Sequence, residues 1–231
     1  MGWPRILIAD HDPISRHVIG AAFEAAAQLE LVGVLDCAEP VIGWPLAAAD
    51  AVVLIEVPHD DVPLTVRTLR DRDLRVLLVG ISWTPRMLDA ALAAGATGCL
   101  VKDADTDRLV AAARAVAAGT VVFSPELFGL YTSHAGRLGG AAPTRLSAAG
   151  DAVHRLVRSL TKREHEILEL LACGLSTAEV AASLRVSPAT VKSHVSHALT
   201  KLRVRNRTEA VLLARQLIDV VPAPYAATAR R

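Results

Sequence analysis

Three charged residues follow or end short apolar runs in the first half of the chain, at positions where a side chain could do chemistry. Asp10 follows "RILIA", Glu56 follows "AVVLI", and Lys102 ends "GCLVK". A carboxylate can act as a nucleophile or pair with a cation, and a lysine ammonium can supply that cation. Whether these groups meet depends on the elements that carry them.

The apolar runs themselves predict a parallel sheet, because β-branched residues and leucines without polar alternation are typical of strands buried on both faces. We predict strands over Arg5–Ala9, Leu31–Asp36, Ala51–Ile55, Arg75–Gly80 and Gly98–Lys102. Helical apolar spacing lies between several of them, over Ile14–Leu29, Met87–Ala94 and Asp107–Ala118. The crossover between the second and third strands should be short, because Pro40, Gly43 and Pro45 interrupt it. Five strands with intervening helices indicate an α/β fold.

The pattern weakens after the fifth strand and returns as helices in the last third. Residues 123–158 are rich in Gly, Ala, Ser and Thr, which indicates a linker, with one helical piece at Pro125–Tyr131. Capping boxes then open two helices, Thr161 with Glu164 and Ser176 with Glu179. Ser187 caps a third helix, and a fourth covers about Thr208–Leu217. Two helices joined by a tight turn predict a helix-turn-helix.

Charge divides the chain in the same way. The formal net charge is +1, yet residues 1–122 carry 10 Lys+Arg against 16 Asp+Glu, and residues 159–231 carry 11 against 6. A basic last third predicts contact with a polyanion. No apolar leader opens the chain and no apolar run is long enough to span a bilayer, so we expect a cytoplasmic protein without a membrane partner. The three cysteines lack metal-ligand spacing, so we expect reduced thiols, no metal and no cofactor.

The third helix carries the candidate nucleic-acid residues. Four of its residues fall at helical spacing and should face the core: Val191, Val195, Ala198 and Leu202. The outward residues are hydroxyls, imidazoles and one lysine, namely Thr190, Lys192, Ser193, His194, Ser196 and His197. Such a face can enter a major groove, and the basic residues that follow can hold phosphates: Lys201, Arg203, Arg205 and Arg207. An ordinary solvated helix face is the alternative.

The stretch from Leu160 to Ala214, with "LTKRE", "VSPATVKSHV" and "KL" in order, resembles the four-helix DNA-binding domain of the LuxR/NarL/FixJ family of bacterial transcription regulators. The resemblance implies sequence-specific binding of double-stranded DNA. It places Lys192, Ser193 and Ser196 at the principal base-reading positions. It places four further residues near the DNA backbone, namely Thr190, His194, Lys201 and Arg207.

The first half, with "ILIADHDP" and "AGATGCLVKDA", resembles the receiver domain of the same family's response regulators. In that family an acidic pair after the first strand holds Mg²⁺ and an Asp after the third strand accepts phosphate. A Ser or Thr after the fourth strand and a Lys after the fifth grip the phosphoryl oxygens. By this resemblance Asp10 and Lys102 match the pattern.

Several positions depart from the receiver pattern. His11 stands where the second acid is usual, with Asp12 one place late; Glu56 replaces the phosphate-accepting Asp; and Gly80 replaces the Ser or Thr. Cys99 stands where a switching Tyr or Phe is common. Together these residues form a degenerate phosphorylation pocket without catalytic residues: Asp10, His11, Asp12, Glu56, Gly80 and Lys102. Its role stays open among a Lys102–Glu56 ion pair that mimics the active state, a drifted Glu56, residual phosphorylation on Glu56 or Asp12, and a small-molecule site.

The sequence therefore predicts an α/β flavodoxin-like receiver with a five-stranded parallel sheet, joined to an all-α four-helix LuxR-type helix-turn-helix domain. The expected domains are a receiver over 1–122, a linker over 123–158, the DNA-binding domain over 159–221 and a tail over 222–231. The expected function is that of a transcription regulator, not an enzyme, which binds DNA as a homodimer and acts without conventional aspartate phosphorylation. A ligand-responsive regulator and a phosphoryl-accepting relay protein are the alternatives.

Overall fold

The computed structural model describes residues 2–135 and 156–217, which fall into two compact units divided after Leu127. The expected tail and the middle of the expected linker lie outside these ranges. The first unit contains a six-stranded sheet with every adjacent pair parallel, in the order β2-β1-β3-β4-β5-β6. The strands are β1 Arg5–Asp10, β2 Glu30–Leu35, β3 Ala51–Ile55, β4 Arg75–Gly80, β5 Gly98–Val101 and β6 Val122–Phe123.

The strand order confirms the flavodoxin-like fold, in which the order of strand addition reverses between β1 and β3 while all strands stay parallel. The helices of this unit are α1 Pro13–Ala25, α2 Val62–Arg70, α3 Pro85–Ala94 and α4 Thr106–Ala117. A further helix, α5, begins at Pro125 and continues to Ala135. The side chains of β3 are all wholly buried, as the uninterrupted apolar run predicts.

One prediction is confirmed and one feature differs. The crossover between β2 and β3 is short, as expected, and consists of two 3₁₀ turns, Val41–Gly43 and Leu46–Ala48. Pro45 follows the first turn and has no N–H that could extend it. The sheet has a sixth strand, because Val122 and Phe123 pair with Gly98 and Cys99. Two residues are too few to produce a recognisable strand pattern.

The second unit contains the predicted four helices: α6 Lys162–Ala172, α7 Thr177–Ser183, α8 Pro188–Leu202 and α9 Arg207–Leu217. Both capping boxes form as expected, at Thr161–Glu164 and Ser176–Glu179. The core-facing residues of α8 are buried, as their spacing predicts: Val191, Val195, Ala198 and Leu202. Val211, Leu212 and Ala214 of α9 are buried too, which indicates that they close this helical core.

Candidate regulatory pocket and nucleic-acid interface

The sheet register brings the first set of candidate residues to one edge. Asp10 pairs with Ile55, Ile55 with Val79, and Gly80 with Val101, so the strands end side by side. Glu56 and Lys102 come directly after two of these strand ends. The backbone ladder continues through both, because Glu56 N–H donates to Val79 and Lys102 N–H donates to Gly80. This edge is the binding edge of open parallel sheets.

Asp10 is the buried charge of the pocket. Its side chain is wholly buried, and one oxygen, Oδ1, accepts a hydrogen bond from Asp12 N–H at 3.1 Å. The Lys102 ammonium lies 3.6 Å from the other oxygen, Oδ2, which has no hydrogen-bond partner among the described residues. Nδ1 of the exposed His11 lies 3.7 Å from Oδ1. Lys102 therefore pairs with Asp10, and the Lys102–Glu56 ion pair that the sequence suggested does not form.

The acidic pair that a receiver uses for Mg²⁺ is dispersed. Asp12 caps α1 instead, and its carboxylate accepts a hydrogen bond from Ile14 N–H at 2.9 Å. Within residues 2–135 and 156–217, no three His, Cys, Asp or Glu residues are grouped so that they could hold a metal ion. Mg²⁺ prefers several oxygen ligands in octahedral geometry, whereas the Asp10 oxygen that accepts no hydrogen bond faces the Lys102 ammonium at 3.6 Å. The residues present do not fit that ion.

The Glu56 carboxylate is hydrogen-bonded to the backbone of a neighbouring loop. Its backbone is in the left-handed region, with φ of 52°, which is uncommon for a residue other than glycine. Its carboxylate oxygen Oε1 accepts a hydrogen bond from Ile81 N–H at 2.5 Å. The glutamate therefore links the end of β3 to the loop that follows β4. A carboxylate that holds a backbone donor has part of its acceptor capacity occupied.

Trp83 covers the position of the missing hydroxyl. Its indole Nε1 donates to the carbonyl oxygens of Gly80 at 3.1 Å and Leu100 at 3.0 Å. A Cβ atom at Gly80 would lie 3.3 Å from that nitrogen and 3.6 Å from Glu56 Oε1. The sequence interpretation did not include Trp83. Its signal was weak: one of three tryptophans, three residues beyond a strand end.

Gly80→Thr is therefore expected to destabilise the first unit instead of restoring a working pocket. The added Cβ would contact Nε1 at 3.3 Å, so the indole must shift to admit the threonine side chain. The shift weakens the hydrogen bonds of Nε1 to its two carbonyl acceptors, at an expected cost of about 1–2 kcal/mol. Thermal unfolding measures the change. Ser82→Thr, at an exposed position two residues away, is the matched control and should leave the unfolding temperature unchanged. Equal unfolding temperatures for Gly80→Thr and the wild type would show that the indole does not fill this position.

Cys99 lies inside β5 with no exposed surface, and burial raises the pKa of its thiol. It pairs with Phe123 of β6 and Leu78 of β4. A small buried thiol has no ring that could swing between the interior and the surface. This position therefore lacks the mobile aromatic group expected from the family pattern.

The predicted nucleic-acid residues fall into two groups along α8. Lys192, Ser193 and Ser196 are exposed, and His197 is exposed beside them. Thr190 and His194 are half-buried, and the Thr190 hydroxyl lies 2.8 Å from that of Ser187. The first group keeps donors and acceptors available for base edges.

Lys201 makes an interaction that the sequence interpretation missed. Its ammonium donates to both carboxylate oxygens of Glu164, at 2.9 and 2.7 Å, and Glu164 is 3% exposed. Burial acts to raise the pKa of Glu164, but the hydrogen bonds from Lys201 and Thr161 outweigh it and hold that pKa below its ordinary value. The pair ties α6 to α8.

Two arginines that follow α8 also form contacts with other groups of the helical unit. Arg205 pairs with the buried carboxylate of Glu209. Arg207 donates to the Thr177 hydroxyl through Nη1 and faces the Leu175 carbonyl oxygen through Nη2 at 3.5 Å. Contact of Lys201 and Arg207 with the DNA backbone stays a prediction, and both cations are already held by protein groups.

The receiver-like sheet and the helix-turn-helix unit together define a response regulator that binds DNA. Residues 158–214 match the family described as "Bacterial regulatory proteins, luxR family". The chain is 32% identical over 221 residues to the probable transcriptional regulatory protein NarL of Mycobacterium tuberculosis, covering 93% of this chain and 96% of that protein. It is 30% identical over 215 residues to the nitrate/nitrite response regulator protein NarL of Escherichia coli, covering 91% and 94%. The chain belongs to the NarL-like response regulators of the LuxR family.

The fold is shared with a solved structure of the Salmonella typhimurium RcsB response regulator. The TM-score is 0.52 at 22% identity, and the match covers 95% of this chain and 100% of that one. No helix in the described ranges is long and apolar enough to cross a bilayer. The Mycobacterium tuberculosis relative is described as a probable transcriptional regulatory protein, in agreement with the helix-turn-helix unit.

Proposed function

We propose that this DNA-binding transcription regulator works without phosphorylation of its receiver domain. The observation that carries the proposal is the hydrogen bond from Ile81 N–H to the Glu56 carboxylate. That bond engages one carboxylate oxygen, Oε1, and holds the side chain toward the loop after β4. An acceptor carboxylate must be placed accurately, because an error of one ångström can lower a rate about 10²-fold. Glu56 is one methylene longer than aspartate and is already bound to the neighbouring loop.

The surrounding groups support the same proposal. Lys102, which would grip phosphoryl oxygens, lies against Asp10. Trp83 lies over Gly80, where a hydroxyl would be needed. Each of these features removes a different part of the phosphorylation mechanism. Their joint occurrence therefore favours a site that no longer accepts phosphate. The Glu56–Ile81 hydrogen bond then fixes the loop after β4. In a conventional receiver a transient phosphoryl group would control the position of that loop.

Acetyl phosphate in the presence of Mg²⁺ tests the proposal on the intact chain. We expect the mass of the protein to stay unchanged, because neither Glu56 nor Asp12 is placed to accept a phosphoryl group. A conventional receiver incubated in parallel shows that the reagent is active. A stoichiometric gain of one phosphoryl group that maps to Glu56 or Asp12 would refute the proposal.

We also propose that the regulator binds a two-fold or repeated DNA site as a homodimer, as helix-turn-helix proteins commonly do. The base-reading residues are proposed to be Lys192, Ser193 and Ser196. Sedimentation of the chain with a duplex that carries two half-sites would measure the stoichiometry. Two chains per duplex are expected, and saturation at one chain would contradict the dimer.

A ligand-responsive receiver is the second candidate, and a small cavity beside Glu56 is the observation that bears on it. Its lining residues include Glu56, His59, Ser82, Trp83 and Met87. Its volume is about 30 Å³, whereas small-molecule sites usually measure on the order of 300–1,000 Å³. A metabolite would have to displace the Trp83 indole to enter, so the first proposal is favoured. A rise in the unfolding temperature of the protein with one of a set of cell metabolites would support the ligand-responsive receiver.

A further inference from the structure

The residues around α8 divide into two stripes that differ in burial. At about 100° of rotation per residue, Lys192 and Ser196 fall within about 40° of one another, and the Cα atom of Arg203, the C-cap, lies between them in projection. Thr190, His194 and Lys201 fall within a similar arc, about 160° away. The first three are exposed and the second three are half-buried. The second stripe lies toward α6, because Lys201 binds Glu164 there.

Arg203 therefore continues the stripe that begins with the base-reading residues. It is the C-cap of α8, and it follows Lys192 by 11 residues, about 16 Å along the helix axis. The major groove is about 12 Å wide, so an anchor at that distance can reach a phosphate where the helix leaves the groove. Its position suits phosphate binding better than base reading.

The charge of Arg203 is available, unlike that of its neighbours. Lys201 is bound to Glu164 and Arg205 to Glu209. Within the part of the chain that the structure describes, the Arg203 guanidinium forms neither an ion pair nor a hydrogen bond, and the residue is exposed. The free-energy cost of binding a phosphate is lowest for an unpaired cation, because no ion pair within the protein has to be broken.

The backbone at Arg203 also calls for an explanation. Its φ is 57°, in the left-handed region where a helix usually ends in glycine. A side chain at this position is unfavourable relative to glycine. Attraction to the negative end of the α8 dipole offsets part of that cost, and this is the ordinary alternative explanation for an arginine here.

We propose that Arg203 binds a DNA phosphate and fixes α8 in the major groove, whereas Arg205 two residues later serves only to hold the helical unit together. Of the four basic residues that the sequence offers for phosphate contact at this end of α8, Arg203 is thus selected, although the family resemblance implies Lys201 and Arg207 there. It rests on the DNA-binding function of the unit and not on the state of the receiver.

The salt dependence of DNA binding by the full chain tests this assignment. The probe is a fluorescein-labelled duplex of mixed sequence, titrated at several KCl concentrations. Loss of one phosphate contact should reduce the slope of log K against log[salt] by about 0.9, and lower the affinity on the order of 5- to 10-fold near 0.1 M salt. We expect this for Arg203→Gln and Arg203→Gly, whereas Arg203→Lys should keep the wild-type slope.

Two further measurements separate binding from folding. Arg203→Gly should unfold at the wild-type temperature or above it, because glycine suits the left-handed cap. Arg205→Gln is the matched control: it should unfold at a lower temperature, because Glu209 is buried, while it keeps the slope. A wild-type slope for Arg203→Gln, or an equal loss of slope for Arg205→Gln, would overturn the proposal.

Discussion

Replacement of Lys201 by methionine is expected to destabilise the helical unit by about 1–3 kcal/mol. Removal of one member of a buried ion pair leaves an uncompensated charge, which typically costs about 3–5 kcal/mol. The Lys201 side chain is 34% exposed, so water can reach part of the site and the expected cost is lower. Glu164, at 4% side-chain exposure, would keep its bond to Thr161 N–H and lose both bonds to the ammonium.

Hydrogen exchange of the α6–α9 amides, followed by mass spectrometry, would measure this loss within the helical unit. Lys192→Met is the matched control, because Lys192 lies on the same helix but is exposed and makes no ion pair among the described residues. It should leave exchange unchanged. Equal protection in Lys201→Met and the wild type would show that the pair with Glu164 contributes no stability.

The same pair predicts a pH dependence. Because the folded state holds the pKa of Glu164 below its ordinary value of 4.5, the pair contributes fully above that pH. The contribution is lost as the pH falls through the lowered pKa and Glu164 takes up a proton. The stability difference between wild type and Lys201→Met should therefore shrink below about pH 4.5. A difference that stays constant to lower pH would contradict this linkage.

Lys192→Ala is expected to weaken specific DNA binding by about 1–3 kcal/mol, a factor of roughly 5 to 150. Its ammonium is exposed on the outward face of α8, near the helix N-terminus that enters the groove in helix-turn-helix proteins. A duplex recovered by selection from a random-sequence library with the full chain would serve as the probe, and gel-shift titration would give the affinity.

Selection repeated with the variant distinguishes a base contact from a phosphate contact. A base contact predicts that Lys192→Ala accepts more than one base at a single position of the site. Lys162→Ala, at the exposed first residue of α6, should leave base preference unchanged. Unchanged affinity and unchanged base preference for Lys192→Ala would show that Lys192 does not contact a base.

The parts of the fold that depend on apolar periodicity and capping were predictable from the sequence. The run "AVVLI" indicated a strand buried on both faces, and Thr161 and Ser176 marked the starts of α6 and α7. The two-residue strand β6 was not predictable, because its pairing depends on the exposed edge of β5 and not on a pattern of its own.

The residues that form the pocket were predictable from the sequence, but the ion pair that forms among them was not. Asp10, Glu56 and Lys102 were expected at one sheet edge, and the register places them there. The choice of Asp10 over Glu56 as the partner of Lys102 depends on side-chain direction and on the left-handed backbone at Glu56, which spacing does not determine. The indole of Trp83 and the Lys201–Glu164 pair are contacts across distant segments and were missed for the same reason.

The most direct test of the central claim is a DNA titration of the intact chain before and after incubation with acetyl phosphate and Mg²⁺, with the protein mass recorded on the same samples. A regulator whose Glu56 is already bound to Ile81 should give superimposable binding curves and an unmodified mass. A stable phosphoryl adduct, accompanied by a DNA affinity that rises with its yield, would contradict the account.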